Sequence, residues 1–405
     1  MPDTKPVVKK HLARTVKFKW SNILQDPRST INLEWDFDYL MNMIFYSMLT
    51  GQRNLRAVED FSENYHIRVP DTTLYVLLSK IDPEPLRALI AREVKKAFRD
   101  HELPKDNFPV RITAIDGKCA SISKEIVGHY SQKSDRNGKV QYTNRVLRAA
   151  HVSNETTLVL GQREIHGKTN EMNEFIPFIN DLLNLYGKTE ILDVISVDAG
   201  MISQKNADYL IANDLNYIMA LKNPQKTLVE LGRRLLSDRQ KSDKKTIECK
   251  NGKKIIRQLY RCKAPVCPSW PHLKQFWRIR QEVWCNGKVT IEERYFITSL
   301  CYTKLNNDEI LKAIRMHWHI ENNANWIFDT AWKEDNSPWC NKAFVFVTLI
   351  RILVYNIISR LKTRRLRQKN DRERSWNSIL RMISIILIEI KQEHSIKTFV
   401  RTCKA

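Results

Sequence analysis

Apolar positions recur at helical spacing through the first quarter of the chain and then alternate through the middle, and that switch divides the molecule. Phe37 to Leu49 carries apolar groups at helical spacing. Asn54 to Glu63 predicts a short second helix. Pro70-Asp71-Thr72-Thr73 opens a third, with Asp71 placed to cap it, and Pro83 to Phe98 forms a fourth. Helices two and three, joined by a short turn, have the layout of a helix-turn-helix reader, with an ordinary supporting bundle as the plain alternative. Residues 1–20 are basic and poor in large apolar groups, apart from a few near the end, and read as a flexible arm.

From residue 108 the pattern becomes α/β. Val110 to Ile115, Arg145 to Val152 and Thr157 to Ile165 read as strands, the last two joined around Ser153-Asn154-Glu155. Asn173 to Tyr186 is an amphipathic helix with Phe175, Ile176, Ile179, Leu182 and Leu183 on its apolar side. Ile191 to Val197, Ser203 to Asn213 and Asn216 to Leu221 add a strand, a helix and a strand. The order β-β-β-α-β-α-β is that of a ribonuclease-H-like domain, which lays the first and fourth strands side by side. Lys254 to Arg261, Phe276 to Trp284 and Val289 to Ile297 read as further strands, with Asn251-Gly252 and Asn286-Gly287 as hairpin turns.

Asn307 to Glu334 contains neither Gly nor Pro and predicts one long helix. On it His317, Glu321 and Asn325 recur every four residues and share a face, with Asp329 drifting off its edge. Pro338 ends this region. Ala343 to Ile358 predicts a buried helix, the basic run Arg360 to Arg367 follows, and Trp376 to Phe399 is the last helical segment. The expected fold class is α/β: a ribonuclease-H-like core with a β-rich insertion, plus helical N-terminal and C-terminal regions. Its expected parts are a basic arm (1–20), a helical region (21–105), the first part of the core (106–224), the insertion (225–303), the core completion with the long helix (304–360) and a basic helical tail (361–405).

Charge narrows the partners. Lys and Arg number 67 against 45 Asp and Glu, a net +22 over 405 residues. That excess calls for a polyanion, with nucleic acid ahead of an anionic membrane or no specific partner. The eight cysteines form no Cys-x-x-Cys pair. Cys262 and Cys267 lack a matching His or Cys pair nearby, which speaks against structural zinc, and scattered thiols fit a reducing cytosol. The N-terminus has no signal-peptide core. The stretch Ala343 to Ile358 is interrupted by Arg351 and Asn356 and is shorter than a bilayer span, so no membrane partner is expected.

Three acids stand in distinctive contexts. Asp116 ends the run Ile112-Thr113-Ala114-Ile115, Asp198 ends Val194-Ile195-Ser196-Val197, and Glu321 lies in His317-Trp318-His319-Ile320-Glu321-Asn322-Asn323. Taken singly, each is more ordinarily a turn residue or a solvated helix charge. Taken together, the element order brings Asp116 and Asp198 onto neighbouring strands about 4.8 Å apart, a spacing that suits two Mg²⁺ ions about 3.5–4 Å apart. Mg²⁺ prefers carboxylate oxygen, and Mn²⁺ can substitute. A phosphodiester is the natural substrate of such a pair on so basic a chain. Lys118, Lys168 and Lys222 are candidate phosphate contacts, against the plain reading of solvated lysines. Trp318 and Trp326 are candidates to stack on an unpaired base, against the plain reading of core residues.

These pieces also carry a resemblance. Ala114-Ile115-Asp116-Gly117-Lys118 is followed by Gly161-Gln162, Lys168-Thr169-Asn170-Glu171, Val197-Asp198-Ala199 with Gln204, and Tyr217 to Asn223. Phe296-Ile297-Thr298-Ser299-Leu300, Arg315 to Asn322 and Glu334-Asp335 complete the ordered set. Over roughly residues 30–360 the chain resembles the DDE-type transposases of bacterial insertion sequences, in the group with Ile-Asp-Gly-Lys and His-Trp-x-Ile-Glu-Asn motifs. The resemblance implies a catalytic triad of Asp116, Asp198 and Glu321, cleavage at element ends and transfer of a 3′-hydroxyl to target DNA. It also implies a homodimer holding two ends of double-stranded DNA, in the nucleoid of a bacterial cytoplasm. Related transposases often carry Tyr, Arg and Lys where this chain has Ile314, His317 and Phe328. His317 would contact a phosphate only if protonated. Lys222-Asn223-Pro224-Gln225 also departs from a more usual Lys-Gly-Asn-Gln. The alternatives are an endonuclease on the same fold that joins nothing, or an inactive transposase repurposed for DNA binding.

Overall fold

A mixed sheet of ten strands forms the backbone of the protein. The computed structural model describes residues 4–16, 18–29, 34–101, 103, 108–125, 128–136, 138–153, 156–222, 225–236, 241–250, 252–339, 341–366 and 369–402. Asn154, Glu155, Asn223, Pro224, Asn251, Cys340, Arg367 and Cys403, which the sequence reading singled out or included, lie outside the described residues.

The strands are β1 (Ile112–Ser123), β2 (Ser131–Arg136), β3 (Lys139–Val152), β4 (Thr157–Glu164), β5 (Val194–Val197), β6 (Asn216–Leu221), β7 (Lys244–Lys250), β8 (Lys253–Lys263), β9 (Gln275–Cys285) and β10 (Lys288–Thr298). Their spatial order is β2-β3-β1-β5-β6-β10-β9-β8-β7. β1 occupies one edge of the long β3, while β2 and β4 follow one another along the other. β1, β5 and β6 run parallel, and β3 and β10 flank them antiparallel. All four residues of β5 are buried, as a central parallel strand covered on both faces requires.

The strands of the insertion belong to this same sheet. β10 pairs with β6 from Tyr295↔Leu221 to Thr298↔Ile218, so the sheet passes from core to insertion without a break. Two strands exceed expectation. β2 (Ser-Gln-Lys-Ser-Asp-Arg) contains no apolar residue, and β7 is a lysine-rich edge strand. Neither carries a hydrophobic period; β2 is extended because β3 offers it a ladder, and charge on β7 suits an exposed edge. At Asn286-Gly287 both residues have positive φ (48° and 73°), the geometry a two-residue hairpin demands.

Helices α1 (Lys5–Thr15), α2 (Phe37–Leu49), α3 (Leu55–Tyr65), α4 (Asp71–Lys80) and α5 (Glu84–Arg99) form the N-terminal region, and α6 (Glu171–Tyr186), α7 (Gln204–Ala212) and α8 (Lys226–Leu236) lie within and after the core. The described part of the expected arm, residues 4–16 and 18–20, is packed against the protein. Val8 and Leu12, one helical turn apart, are buried, His11 bonds the Ile357 carbonyl at 3.0 Å, and Trp20 is fully buried. Nor does Asp71 cap α4. The N-cap is Pro70, and the Glu59 side chain on α3 accepts the Asp71 backbone N–H at 3.1 Å.

The stretch expected as one long helix is α9 (Asn307–His317), a π-helical segment (Ile320–Asn325) and α10 (Trp326–Trp332), which ends at Lys333 in the left-handed region. α11 (Asn341–Arg360) follows, then the short α12 (Lys369–Arg372) and α13 (Trp376–Thr402). The span Lys342–Arg365 is long and apolar enough to cross a bilayer, but its most apolar window is 100% buried inside the protein. Asn356 on α11 clamps both backbone groups of Val159 in β4, at 2.9 and 2.8 Å. Trp332 donates to the Met48 carbonyl at 2.9 Å and Trp339 to that of Arg53 at 3.1 Å, so the N-terminal helices brace the end of α10.

Candidate active site

β5 ends at Val197, which pairs with Ile115 of β1. The next residue on each strand, Asp116 and Asp198, therefore emerges beside the other at the C-terminal end of the parallel pair, where open α/β sheets place their ligands. Asp116 is not at the end of its own strand, because β1 continues to Ser123 along β3, with Asp116 opposite Arg148. Asp198 turns the chain. Its Oδ1 accepts the Gly200 N–H at 2.8 Å, and its Oδ2 lies 3.5 Å from Lys222 Nζ.

Glu321 enters from the π segment. A regular α-helix overshoots a full turn by about 40° every four residues, which is why Asp329 was expected to leave the shared face. A π turn closes over more residues and winds that drift back. Asn325 Nδ2 accordingly donates to Asp116 Oδ2 at 2.8 Å, and Asp329 meets Lys118 at 2.5 Å.

The acids feel one another. Burial first, then the charges of Glu321, Asp198 and Glu171, pushes the Asp116 carboxyl up to about 7. Burial and then Asp198 raise Glu321, opposed by Arg294 and Lys222. A local excess of negative charge, made of hard oxygen donors, is the environment a divalent cation relieves. Among the described residues, however, no three His, Cys, Asp or Glu side chains converge closely enough to hold a metal ion. The acids are gathered on one side of the sheet without being drawn into a ligand cluster.

Glu171 is a fourth acid at this place that sequence reasoning quoted but did not assign. It is the first residue of α6, behind the N-cap Asn170, and it pairs with Arg145. Its carboxylate lies directly against Gly117, where any Cβ would collide with it. The signal was present in Lys168-Thr169-Asn170-Glu171, an Asn cap followed by an acid in the first turn.

The other expected contacts separate into open and closed positions. Lys168, in the loop before α6, and Lys222 are exposed, and so is Trp326, at 59%. Trp318 is half-buried, with the Arg294 guanidinium 4.6 Å from its ring centre. Both line a cavity of about 250 Å³ between the insertion strands and α9, together with Arg257, Arg315 and Asn322. Lys118 is buried and committed to Asp329, so it offers no open charge to a phosphate. His317 is buried against Ser196 Oγ at 3.1 Å, and burial lowers its pKa to about 4, so it is neutral and braces α9 on β5 rather than presenting a cation.

The profile of the family described as "Transposase DDE domain" matches residues 108–357. Two similar proteins come from Escherichia coli (strain K12). YbfL is 25% identical over 346 residues, covering 78% of this chain and 82% of its own length. YhhI, described as an H repeat-associated candidate transposase, is 25% identical over 347 residues with the same coverage. Among solved structures, the cryo-EM structure of a piggyBac transposase synaptic complex with hairpin DNA aligns at a TM-score of 0.49 and 10% identity, covering 96% of this chain and 78% of that one. With the family's profile spanning most of the sheet and all three candidate acids, this chain belongs to the DDE-type bacterial transposases.

Proposed function

We propose that this DNA transposase cleaves the ends of its element and joins them to target DNA at a Mg²⁺ site held by Asp116, Asp198 and Glu321, on a core of ribonuclease-H-like order. The observation that carries the reading is the parallel register that sets Asp116 beside Asp198, with Glu321 close enough for its charge to raise Asp116. Two Mg²⁺ ions, when bound, supply activation of a water or 3′-hydroxyl and stabilisation of the departing oxygen. The chain's own residues do the rest. The carboxylates of Asp116, Asp198 and Glu321 are near enough to feel one another's charge, Asn325 restrains Asp116, and Lys222 holds a positive charge at the open side of Asp198.

DNA contacts follow the exposed groups. Lys168 and Lys222 are assigned to phosphates and Trp326 to an unpaired base. Trp318 with Arg294 offers a second, partly enclosed stacking surface beside Glu321. α3 and α4 are assigned to the element end, with Thr72, Tyr75, Val76 and Ser79 forming the exposed face of α4. A homodimer on two DNA ends, acting in the bacterial cytoplasm, completes the reading.

The test is a strand-transfer assay with purified protein, Mg²⁺, the DNA flanking its own gene and a target plasmid, with Glu321→Gln as control. Metal-dependent joined products that vanish in the mutant are expected. Cleavage without junctions would make it an endonuclease, and end binding without cleavage a repurposed DNA-binding protein.

A further inference from the structure

Arg148 stands directly opposite Asp116 across the β1–β3 ladder, in the position from which a guanidinium would ordinarily pair with the carboxylate. Directly opposed side chains share a face, with Cβ atoms about 4.5–5.5 Å apart. The guanidinium is nevertheless turned away from it. Arg148 is fully buried and forks onto Glu334, also fully buried, through Nη1 to Oε2 at 3.0 Å and Nη2 to Oε1 at 3.1 Å. Gln162 Oε1 accepts a further bond from Nη2 at 3.1 Å, and the Phe328 ring lies 4.1 Å from the guanidinium carbon. Gln162 cannot turn its amide round, because its Nε2 is already used on Glu164 and Thr348.

Between Arg148 and Asp116 sits Asn325, the last residue of the π segment and 7% exposed. Its Oδ1 accepts from Arg148 Nη1 at 3.2 Å and its Nδ2 donates to Asp116 Oδ2 at 2.8 Å. An amide's two ends are distinguished only by their partners. Arg148 has donors alone, so the atom facing it must be oxygen, and the atom facing Asp116 must then be nitrogen. The arginine thus dictates the polarity of the amide, and the amide dictates which Asp116 oxygen is occupied.

We propose that Asn325 is a positioning residue for Asp116: oriented by the buried Arg148–Glu334 pair, it holds Oδ2 in a neutral hydrogen bond and so fixes the orientation in which the carboxylate meets a metal ion. Direct pairing with Arg148 would hold Asp116 equally well, but would place a full positive charge where a cation must bind. Glu334 neutralises that charge, and the amide passes on only its orienting effect. The same bond ties the segment carrying Glu321 to the strand carrying Asp116, so two of the three acids are placed by one contact. Arg148 is not marked out in the sequence, and Asn325 is marked there only by its four-residue spacing from Glu321.

This inference rests on the metal-site reading above, and its test separates the two. Mn²⁺ binding to the full-length protein is measured by the loss of the free-Mn²⁺ electron paramagnetic resonance signal, for wild type, Asn325→Leu and Asn325→Ser, each with and without Asp116→Asn. Groups that orient metal ligands typically contribute about 10–100-fold in affinity. Both Asn325 variants are expected to weaken Mn²⁺ binding by that factor, and to add no further loss once Asp116 is already Asn. Asn325→Ser keeps a small polar side chain and decides the matter if Asn325→Leu does not fold by circular dichroism. Wild-type affinity in the Asn325 variants, with Asp116→Asn weakened, overturns the positioning role alone. The same holds if the Asn325 loss persists undiminished beside Asp116→Asn, because it is then a packing effect. If Asp116→Asn binds Mn²⁺ as wild type does, the metal-site reading falls and the positioning role with it.

Discussion

The two aspartates occupy opposite kinds of surroundings. Behind Asp116 lies a sealed wall, with Arg148, Glu334 and Arg351 fully buried and Asn325 nearly so. Around Asp198 the site is open: its side chain is 40% exposed and its basic neighbour Lys222 is 67% exposed. The contrast shows how one site combines fixity with access. The sealed side fixes a carboxylate through bonds that water cannot replace, and such bonds are strong but unforgiving when one partner is lost. On the open side, a solvated ion pair contributes little stability, and a cation or phosphate can displace it at small cost.

The largest effect should come from removing the acid on the open side. Asp198→Asn is expected to reduce Mg²⁺-dependent nicking of the flanking DNA to background while leaving the melting temperature near that of wild type. Retained nicking would sink the assignment. On the sealed side the expectation is reversed, with stability lost first. Arg148→Met leaves Glu334 buried without its fork, and breaking such a pair costs about 3–5 kcal/mol. Urea unfolding of the metal-free protein measures this, and a loss below 1 kcal/mol would mean that the wall is not sealed.

Asp116 itself sharpens the comparison through pH. Its folded pKa, pushed up to about 7, exceeds the unfolded value of 3.8, so the folded state holds the proton more tightly. Its contribution is therefore full below the unfolded value and is lost as pH rises toward about 7. The loss is on the order of 4 kcal/mol for a shift of this size. Metal-free Asp116→Asn should lack that slope and be the more stable protein at pH 8, though inactive. Identical pH profiles for the two proteins would count against the buried, charge-crowded setting. Mg²⁺ should narrow the difference at pH 8, because it binds the carboxylate form of the folded state.

The smallest effect belongs to Lys222→Ala. Stability should stay within about 0.5 kcal/mol. The dependence of DNA affinity on salt should flatten by about one unit of log–log slope, as expected for one lost phosphate contact. An unchanged slope in fluorescence anisotropy titrations would remove Lys222 from the interface.

How far the sequence could be read followed from the kind of signal each element leaves. β5, β6 and α6 were legible because burial demands runs or stripes of apolar residues, and their spacing reports the element. β2 and β7 were invisible, since an edge strand of polar residues is extended by its neighbour's hydrogen bonds and not by any pattern of its own. α1 was misread because Val8, Leu12 and Val16 form a short stripe, sufficient once α13 and the Leu361–Arg365 segment present a surface to cover it. The π segment was unreadable too, since the residues of 320–325 suit an α-helix equally well.

The same division holds at the site. The sequence by itself determined the two apolar runs that deliver Asp116 and Asp198, the helix that carries Glu321 and the positive charge that selects a polyanion. These follow from composition and local periodicity, which belong to the chain alone. Only the tertiary structure decided that His317 is neutral and internal, that Lys118 is spent on Asp329, that Glu171 joins the acids and that Asn325 connects Arg148 to Asp116. Each of these depends on a partner more than twenty residues away. Charge state and hydrogen-bond polarity are set by what surrounds a group in space, and a linear pattern of residues does not contain that information.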